Sequence, residues 1–501
     1  MEVDIVSPTK CFVSSSDPNE MLRLKKELTY TNKNAAFNLK KLNENRWLRD
    51  NRPYTYKKRL TEIKSQMKGC LLKFDPDTQS LWTYPGILDY LDKFDINITR
   101  DNRKYPSPKK MVWQNQFPFS LYDYQSQTVD GLLNQKHGCV EICTGGGKTA
   151  CIVHIVRELG LDAAVVTPSK SIFGEVLKQM QFYLGKNMVG GFGGGKKDIS
   201  KKVTVCVAKS LSMLKEGTKE FDFFKDKQLL IIDESHTVPA DTLEVFVHGV
   251  FSEVPYRFFF SGTQVRGDGK EKLLKSIIGK KVHSLTSQKA IEDGYICPLE
   301  FEIRNVTTSD RYVKDPLKAK RFHFLYNPLI ANDVAKLANK NWEESQQSTL
   351  ILVEELEQIS ILLDKINAPL GYAHSASKKE AQISGLEAVN VDQSVEDFNS
   401  GKIRVLIGTS CISVGTNIYP CHNTINWVGG SSEVKTKQGA IGRSVRWLHN
   451  TKYANFHIPK EKCKIIDYNV QGKAAKLMEK HLEMRLDMYK ETGCEIVFNG
   501  T

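Results

Sequence analysis

The chain has 501 residues, 40% of them hydrophobic, enough for about three packed domains of ~150 residues each, which excludes a disordered polymer. No apolar run approaches the ~18 residues of a membrane span. The start Met1-Glu2-Val3-Asp4-Ile5 lacks the basic and apolar blocks of a signal peptide, so a cytoplasmic protein with no membrane partner is expected. The eleven cysteines are scattered and contain no Cys-x-x-Cys pair, which reads as reduced thiols with no disulfide partners.

Net charge is +13, from 71 Lys/Arg against 58 Asp/Glu, and it is unevenly placed. Residues 33–68 hold eleven Lys/Arg, among them the run Lys57-Lys58-Arg59, and only Glu44, Asp50 and Glu62 oppose them. Phe37, Trp47, Tyr54 and Tyr56 are interleaved. A basic surface with aromatics suits a nucleic-acid backbone, against the alternative of a merely solvated face. Residues 1–112 read as a basic α+β accessory domain, with a strand over 70–74, a turn at Asp75-Pro76-Asp77 and a helix over 87–94. Residues 101–110 carry two prolines and high polarity, which predicts a flexible linker.

From about residue 113 short apolar runs alternate with longer helical patterns. Strands are predicted over 139–142, 163–166, 203–207, 229–232 and 257–260, the rhythm of a parallel sheet covered by helices on both faces. The pattern restarts after about residue 300, with strands over 350–353, 404–407, 424–428 and 464–466. Residues 471 to about 491 read as a basic amphipathic helix. The expected fold class is therefore α/β, with parallel-sheet domains over 113–300 and 301–501 in tandem.

Behind the first of these strands lies Ile142-Cys143-Thr144-Gly145-Gly146-Gly147-Lys148-Thr149, a phosphate-cradling loop between strand and helix. The three glycines permit a tight turn that aims successive N–H groups at a polyphosphate. Lys148 supplies a charge for the β/γ-phosphates and Thr149 a hydroxyl for Mg2+. Ile142 stands where the strict motif has its first glycine. The run Leu229-Leu230-Ile231-Ile232-Asp233-Glu234-Ser235-His236 then delivers two acids at the carboxyl end of a buried strand, where open α/β sheets place their ligands. Asp233 is the candidate Mg2+ ligand. Glu234 is the candidate residue to orient and deprotonate the attacking water, because such hydrolysis needs positioning more than covalent chemistry.

Together these motifs resemble the DExH-type helicases of superfamily 2, and the resemblance extends along nearly all of residues 120–470. It implies two tandem RecA-like domains, with ATP and Mg2+ as cofactors. Tyr122-Asp123-Tyr124-Gln125 resembles the adenine-recognition segment, with Gln125 in the glutamine position. Pro168-Ser169-Lys170 and Lys209-Ser210 resemble strand-contact motifs, as does Thr409-Ser410 with Gly415 following. Ser261-Gly262-Thr263 stands where the family has a coupling motif. Gln438-Gly439-Ala440-Ile441-Gly442-Arg443-Ser444-Val445-Arg446 is similar to the family's Gln-x-x-Gly-Arg-x-x-Arg element. The resemblance implies that Arg443 and Arg446 are arginine fingers and that His236 and Gln438 report nucleotide state.

Within the superfamily, the basic N-terminal region, Gly-Gly-Gly-Lys at 193–196 and the Arg/Asp/Gly-rich stretch after Ser261-Gly262 resemble the branch-migration helicases of phage recombination. That likeness implies a monomeric motor on branched or forked DNA. An RNA helicase and a duplex translocase without junction preference are the alternatives, since nothing in the chain reports discrimination by a 2′-hydroxyl. A nucleic-acid clamp with a vestigial ATP site is disfavoured by Lys148, Asp233, Glu234, Arg443 and Arg446.

Overall fold

The computed structural model describes residues 1–114, 120–262, 269–413, 418–419, 421–431, 434–445 and 461–500. The chain divides into two compact units. One comprises Met1–Ile142 and Lys148–Ser284; the other comprises Leu285–Thr501 with the short segment Cys143–Gly147.

In the first unit, the N-terminal region forms a five-stranded sheet in the order Lys73–Asp75, Ser80–Thr83, Lys10–Ser14, Glu2–Ser7, Asn97–Asp101. Its pairs are antiparallel except the last, where Glu2–Ser7 runs parallel to Asn97–Asp101. Alternate residues Val3, Ile5, Cys11 and Val13 are buried, the two-residue period of a sheet with one covered face. That face shares one continuous core with Leu243, Phe246, Phe251, Leu273 and Ile277, which follow far later in the chain. Residues 101–110, predicted as a flexible linker, are docked. Lys109 donates its N–H to the Leu159 carbonyl at 2.8 Å, and Pro106 accepts from the Tyr256 hydroxyl at 3.2 Å.

A helical excursion leaves this region between two short paired strands, Thr29–Thr31 and Lys68–Cys70. Its helices are Lys33–Glu44, Arg46–Asn51 and Pro53–Gln66. Each start is set by local chemistry. Asn32 accepts from the Ala35 N–H and Asn45 from that of Leu48, while Pro53 occupies the first helical position, where its missing N–H costs nothing. All of residues 33–68 that carry the excess charge lie on this excursion or its neck.

The sheet that follows has eight strands, in the order Lys196–Lys197, Val189–Gly193, Val203–Val207, Ala163–Thr167, Leu229–Ile232, Tyr256–Ser261, His137–Ile142, Lys281–Leu285. From Val189–Gly193 to His137–Ile142 neighbours run parallel. Val203–Val207, Leu229–Ile232 and Tyr256–Ser261 are buried at every position, which is why their sequences are mostly apolar, Thr204, Arg257 and Ser261 being the exceptions. Parallel order brings Ile142, Thr167, Val207, Ile232 and Ser261 to one edge of the sheet.

The second unit holds a seven-stranded parallel sheet in the order Leu370–Ala373, Val405–Gly408, Thr349–Val353, Asn423–Trp427, Cys463–Gln471, Leu299–Thr307, Glu495–Gly500. Leu299–Thr307, Leu370–Ala373 and Glu495–Gly500 are additional to the predicted strands. Leu299–Thr307 carries Glu300, Glu302 and Arg304, whose charges hide a strand until they are paired: Glu302 lies 2.6 Å from Arg304 and 3.2 Å from Lys464. The C-terminal helix is Lys476–Lys490, and Met478, Leu482, Arg485 and Tyr489 form its buried face. Among the described residues no helix is long and apolar enough to cross a membrane, and none of the eleven cysteines is in a disulfide.

Candidate ATPase site

The strand His137–Ile142 runs into a five-residue turn and then into the helix Lys148–Leu159. Gly145 (φ +86°) and Gly147 (φ +77°) adopt left-handed backbone that a side chain resists. The Gly146 N–H closes the turn on the Cys143 carbonyl at 3.1 Å. Thr144 and Thr149 are half-buried, and Thr149 is the second residue of the helix. A helix start behind a glycine turn is an anion cradle made of backbone N–H groups.

Lys148 points toward the neighbouring strand ends. Its Nζ lies 3.1 Å from Glu234 Oε1 and donates to the Ile142 carbonyl at 3.3 Å. Asp233 and Glu234 follow directly from Leu229–Ile232. The Asp233 N–H continues the sheet by donating to the Val166 carbonyl at 2.9 Å, and the Glu234 N–H donates to Asp233 Oδ1 at 2.9 Å. Glu234 takes left-handed backbone (φ +49°), uncommon for a side chain of its size. That turn gives the two carboxylates different partners: Asp233 accepts from the Glu234 N–H, and Glu234 pairs with Lys148.

Burial pushes the Asp233 carboxyl well above the usual carboxylate range, and the charge of Glu234 adds to the effect. Burial also works against Glu234, but Lys148, His236 and the Gly262 N–H outweigh it and hold that carboxyl below the usual range. A buried carboxyl that is costly to charge beside a second acid fits a site for a cation. Asp233 would hold Mg2+ with Thr149, and the ion would supply charge neutralisation for the phosphate oxygens. Among the described residues no three His, Cys, Asp or Glu side chains gather into a larger metal cluster.

His236 carries the acid pair onward. Its Nδ1 lies 3.5 Å from Glu234 Oε2 and forms a hydrogen bond with the Ser261 hydroxyl at the end of Tyr256–Ser261. The site thus runs from Lys148 through Glu234 and His236 to the Ser261-Gly262 segment, all within the first unit. Thr263 lies outside the described residues.

Gln125 is buried at the start of the helix Asp123–Gln135. Its Oε1 accepts from the Tyr122 N–H at 3.0 Å and its amide donates to the Tyr124 hydroxyl at 3.2 Å. The predicted strand-contact residues gather at the carboxyl ends of adjacent strands, since Thr167 pairs with Val207. Pro168, Ser169 and Lys170 lead from one strand into the helix Lys170–Leu184, and Lys209 and Ser210 lie in the turn of helix Ala208–Leu211 after the other. Lys170 and Lys209 are exposed. Lys57, Lys58 and Arg59 are exposed on the helix Pro53–Gln66.

In the second unit, Thr409 follows Val405–Gly408 and its N–H donates to the Ala373 carbonyl at 3.1 Å. Arg443 is buried in the short helix Gly442–Ser444, which continues the π-helix Val434–Ile441. Of Ser410 and Gln438 only the backbone is described, and Gly415 and Arg446 lie outside the described residues. Sequence reasoning missed the contributions of the Ile142 and Val166 carbonyls; a backbone acceptor leaves no mark on side-chain pattern.

Comparison with known proteins gives the family. Residues 118–266 match the family model described as type III restriction enzyme, res subunit, and residues 331–448 match the helicase conserved C-terminal domain, together more than half of the chain. A DNA 3'-5' translocase XPB2 from Sulfurisphaera tokodaii is 24% identical over 386 residues, covering 69% of this chain and 86% of that protein. A DNA 3'-5' helicase XPB from Kineococcus radiotolerans is 24% identical over 340 residues, covering 66% of this chain and 57% of that protein, so the chain spans little more than half of this second relative. The solved structure of UvsW from T4 aligns with a TM-score of 0.43 at 12% identity, covering 100% of this chain and 99% of that one. The chain belongs to the superfamily 2 helicases, with two RecA-like domains in tandem. It is accordingly an ATP-hydrolysing enzyme.

Proposed function

We propose that this enzyme is an ATP-dependent DNA helicase or translocase that unwinds or branch-migrates forks, Holliday junctions and other recombination intermediates, in the replication, recombination and repair of a bacteriophage genome. The observation that carries the reading is the chain of contacts from Lys148 through Glu234 and His236 to Ser261. It links the group that meets the phosphates to the end of the neighbouring strand Tyr256–Ser261, on the same sheet edge as the strands that lead to Lys170 and Lys209.

In this reading Lys148 and the N–H groups of the loop bind the polyphosphate, Asp233 and Thr149 hold Mg2+, and Glu234 takes a proton from the attacking water. Tyr124 and Gln125 border the base. Arg443 and Arg446 supply the guanidinium charge that stabilises the transferring phosphoryl group, for which a planar, always-charged, bidentate group is suited. Gln438 reports the state of the nucleotide to the second domain. Pro168, Ser169, Lys170, Lys209, Ser210, Thr409 and Ser410 contact the strand that is moved. Residues 1–112 form the DNA-binding accessory region, 113–300 the first motor domain and 301–501 the second, acting as a monomer in the cytoplasm.

DNA as substrate is supported by the names of the two XPB relatives. A branched substrate is supported by the likeness of the basic N-terminal region, Gly193, Gly194, Gly195 and Lys196, and the stretch after Ser261-Gly262 to phage branch-migration helicases. The test is ATP hydrolysis measured with single-stranded DNA, duplex, fork, four-way junction and RNA. Strongest stimulation by the fork or junction is expected. Stimulation by RNA alone would overturn DNA as the substrate, and equal stimulation by linear duplex would overturn the preference for branches.

A further inference from the structure

We propose that the helical excursion between Asn32 and Met67 binds unpaired DNA bases by stacking them on Phe37, Trp47 and Tyr54. The inference rests on the reading of this enzyme as a DNA motor and names the part of the DNA that the excursion takes.

Three large aromatic side chains on this small excursion are left in water: Phe37 is 57% exposed, Trp47 62% and Tyr54 81%. They are not needed for its packing, since Ala35, Leu42 and Leu48 are the buried residues of its helices. Two of the rings carry a cation. Lys41 Nζ lies 4.7 Å from the centre of Phe37, and Arg52 Cζ lies 5.9 Å from that of Trp47. Each cation lies over one face of its ring, and the exposed remainder of the ring with that cation matches a nucleotide, which offers a flat base and an anionic phosphate a few ångströms apart. Duplex DNA presents phosphates but keeps its base faces stacked inside. The cations alone therefore suffice for duplex, and the rings gain a partner only where bases are open, as in a single strand or at the mouth of a fork.

The base of the excursion is tied to the motor. Lys272, on the helix Glu271–Ile278, donates to the Thr29 carbonyl and pairs with Glu27, each at 3.3 Å. Gly269 (φ +79°) passes so close to the neck that a Cβ there would stand 2.3 Å from the Thr31 carbonyl oxygen. Gly269 and Lys272 come shortly after Ser261-Gly262, where the contacts from the acid pair end. A base held by the excursion is thus connected through its neck to Gly269 and the helix Glu271–Ile278 of the first unit.

The test compares binding of a labelled oligo-dT strand and of a blunt duplex of equal length to the full chain carrying Phe37→Ala, Trp47→Ala and Tyr54→Ala together. Loss of about tenfold or more for the single strand is expected, with duplex affinity within about twofold. Equal losses on both, or no loss on the single strand, would overturn the proposal. A companion variant with Phe37→Tyr, Trp47→Phe and Tyr54→Phe keeps three rings and should retain single-strand affinity; its failing as badly as the alanine variant would also overturn it. Neutralising Lys57, Lys58 and Arg59 separates the two readings. If that change leaves duplex binding untouched, the basic face is not a DNA surface, whereas a failure confined to the aromatic variant sinks only the stacking.

Discussion

Lys148 Nζ stands 3.1 Å from Glu234 Oε1, and the two side chains are only 10% and 13% exposed. In so sheltered a place one ammonium group serves two claims: it holds the Glu234 carboxyl low, and it is the charge that a β- or γ-phosphate arriving over the glycine turn would recruit. A phosphate that draws Lys148 away would leave only His236 and the Gly262 N–H against the burial of Glu234, which raises its basicity, as the proposed role of taking a proton from water requires.

Lys148→Ala should abolish ATP turnover while DNA binding stays near normal. Glu234→Gln should keep nucleotide affinity and lower kcat by about 10²–10⁴, the usual contribution of a positioned base. Steady-state ATPase with nucleotide titration checks both, and DNA-stimulated hydrolysis surviving in Lys148→Ala would contradict the assignment.

Neutralising Lys57, Lys58 and Arg59 should weaken DNA binding and make it less sensitive to salt. If all three meet phosphates, the slope of log affinity against log salt falls by about 2.7. Titrations at several salt concentrations measure it, with basal ATPase as the control because these residues lie on the excursion and not at the nucleotide loop. An unchanged slope would make the cluster a solvated face.

In the second unit Arg485 donates twice to Asp467, at 2.7 and 3.0 Å, and once to the Gly430 carbonyl at 2.5 Å, while Tyr489 donates to the same carboxylate at 2.7 Å. The guanidinium and carboxylate are almost wholly buried. Arg485→Ala strands that carboxylate and should destabilise the unit by about 3–5 kcal/mol. Denaturant unfolding reads the loss. Arg485→Ala combined with Asp467→Ala should cost less than the two single changes added together.

His137 is buried and His248 half-buried in the first unit. Burial, with Arg257 nearby, lowers both below the usual 6.5, His137 to about 3. A histidine depressed in the folded state binds fewer protons there than in the unfolded chain. Stability is therefore full above about pH 6.5 and declines as pH falls below it, by about 1.4 kcal/mol for His137 at pH 5.5, with His248 adding in the same direction. Unfolding midpoints between pH 7.5 and 5.5 should show the decline, and His137→Gln should make it shallower.

The sequence by itself determined the motor's local parts. Leu229–Ile232 and Val203–Val207 were legible to the residue, because strands buried on both faces read as near-continuous apolar runs. The glycine turn before Lys148 and the acids after Ile232 were legible because a phosphate loop and a strand-end acid pair are short-range patterns. Only the tertiary structure joined Lys148 to Glu234 and His236 to Ser261, since which strands become neighbours depends on packing between distant segments. Packing also docked residues 101–110, whose prolines and charges read as a free linker, and gave residues 1–112 a core in common with Leu243, Phe246 and Phe251. It made Leu299–Thr307 a strand by pairing charges that, seen alone, argue against burial. Composition and period report how one segment meets water; which segment replaces that water is decided across the whole chain.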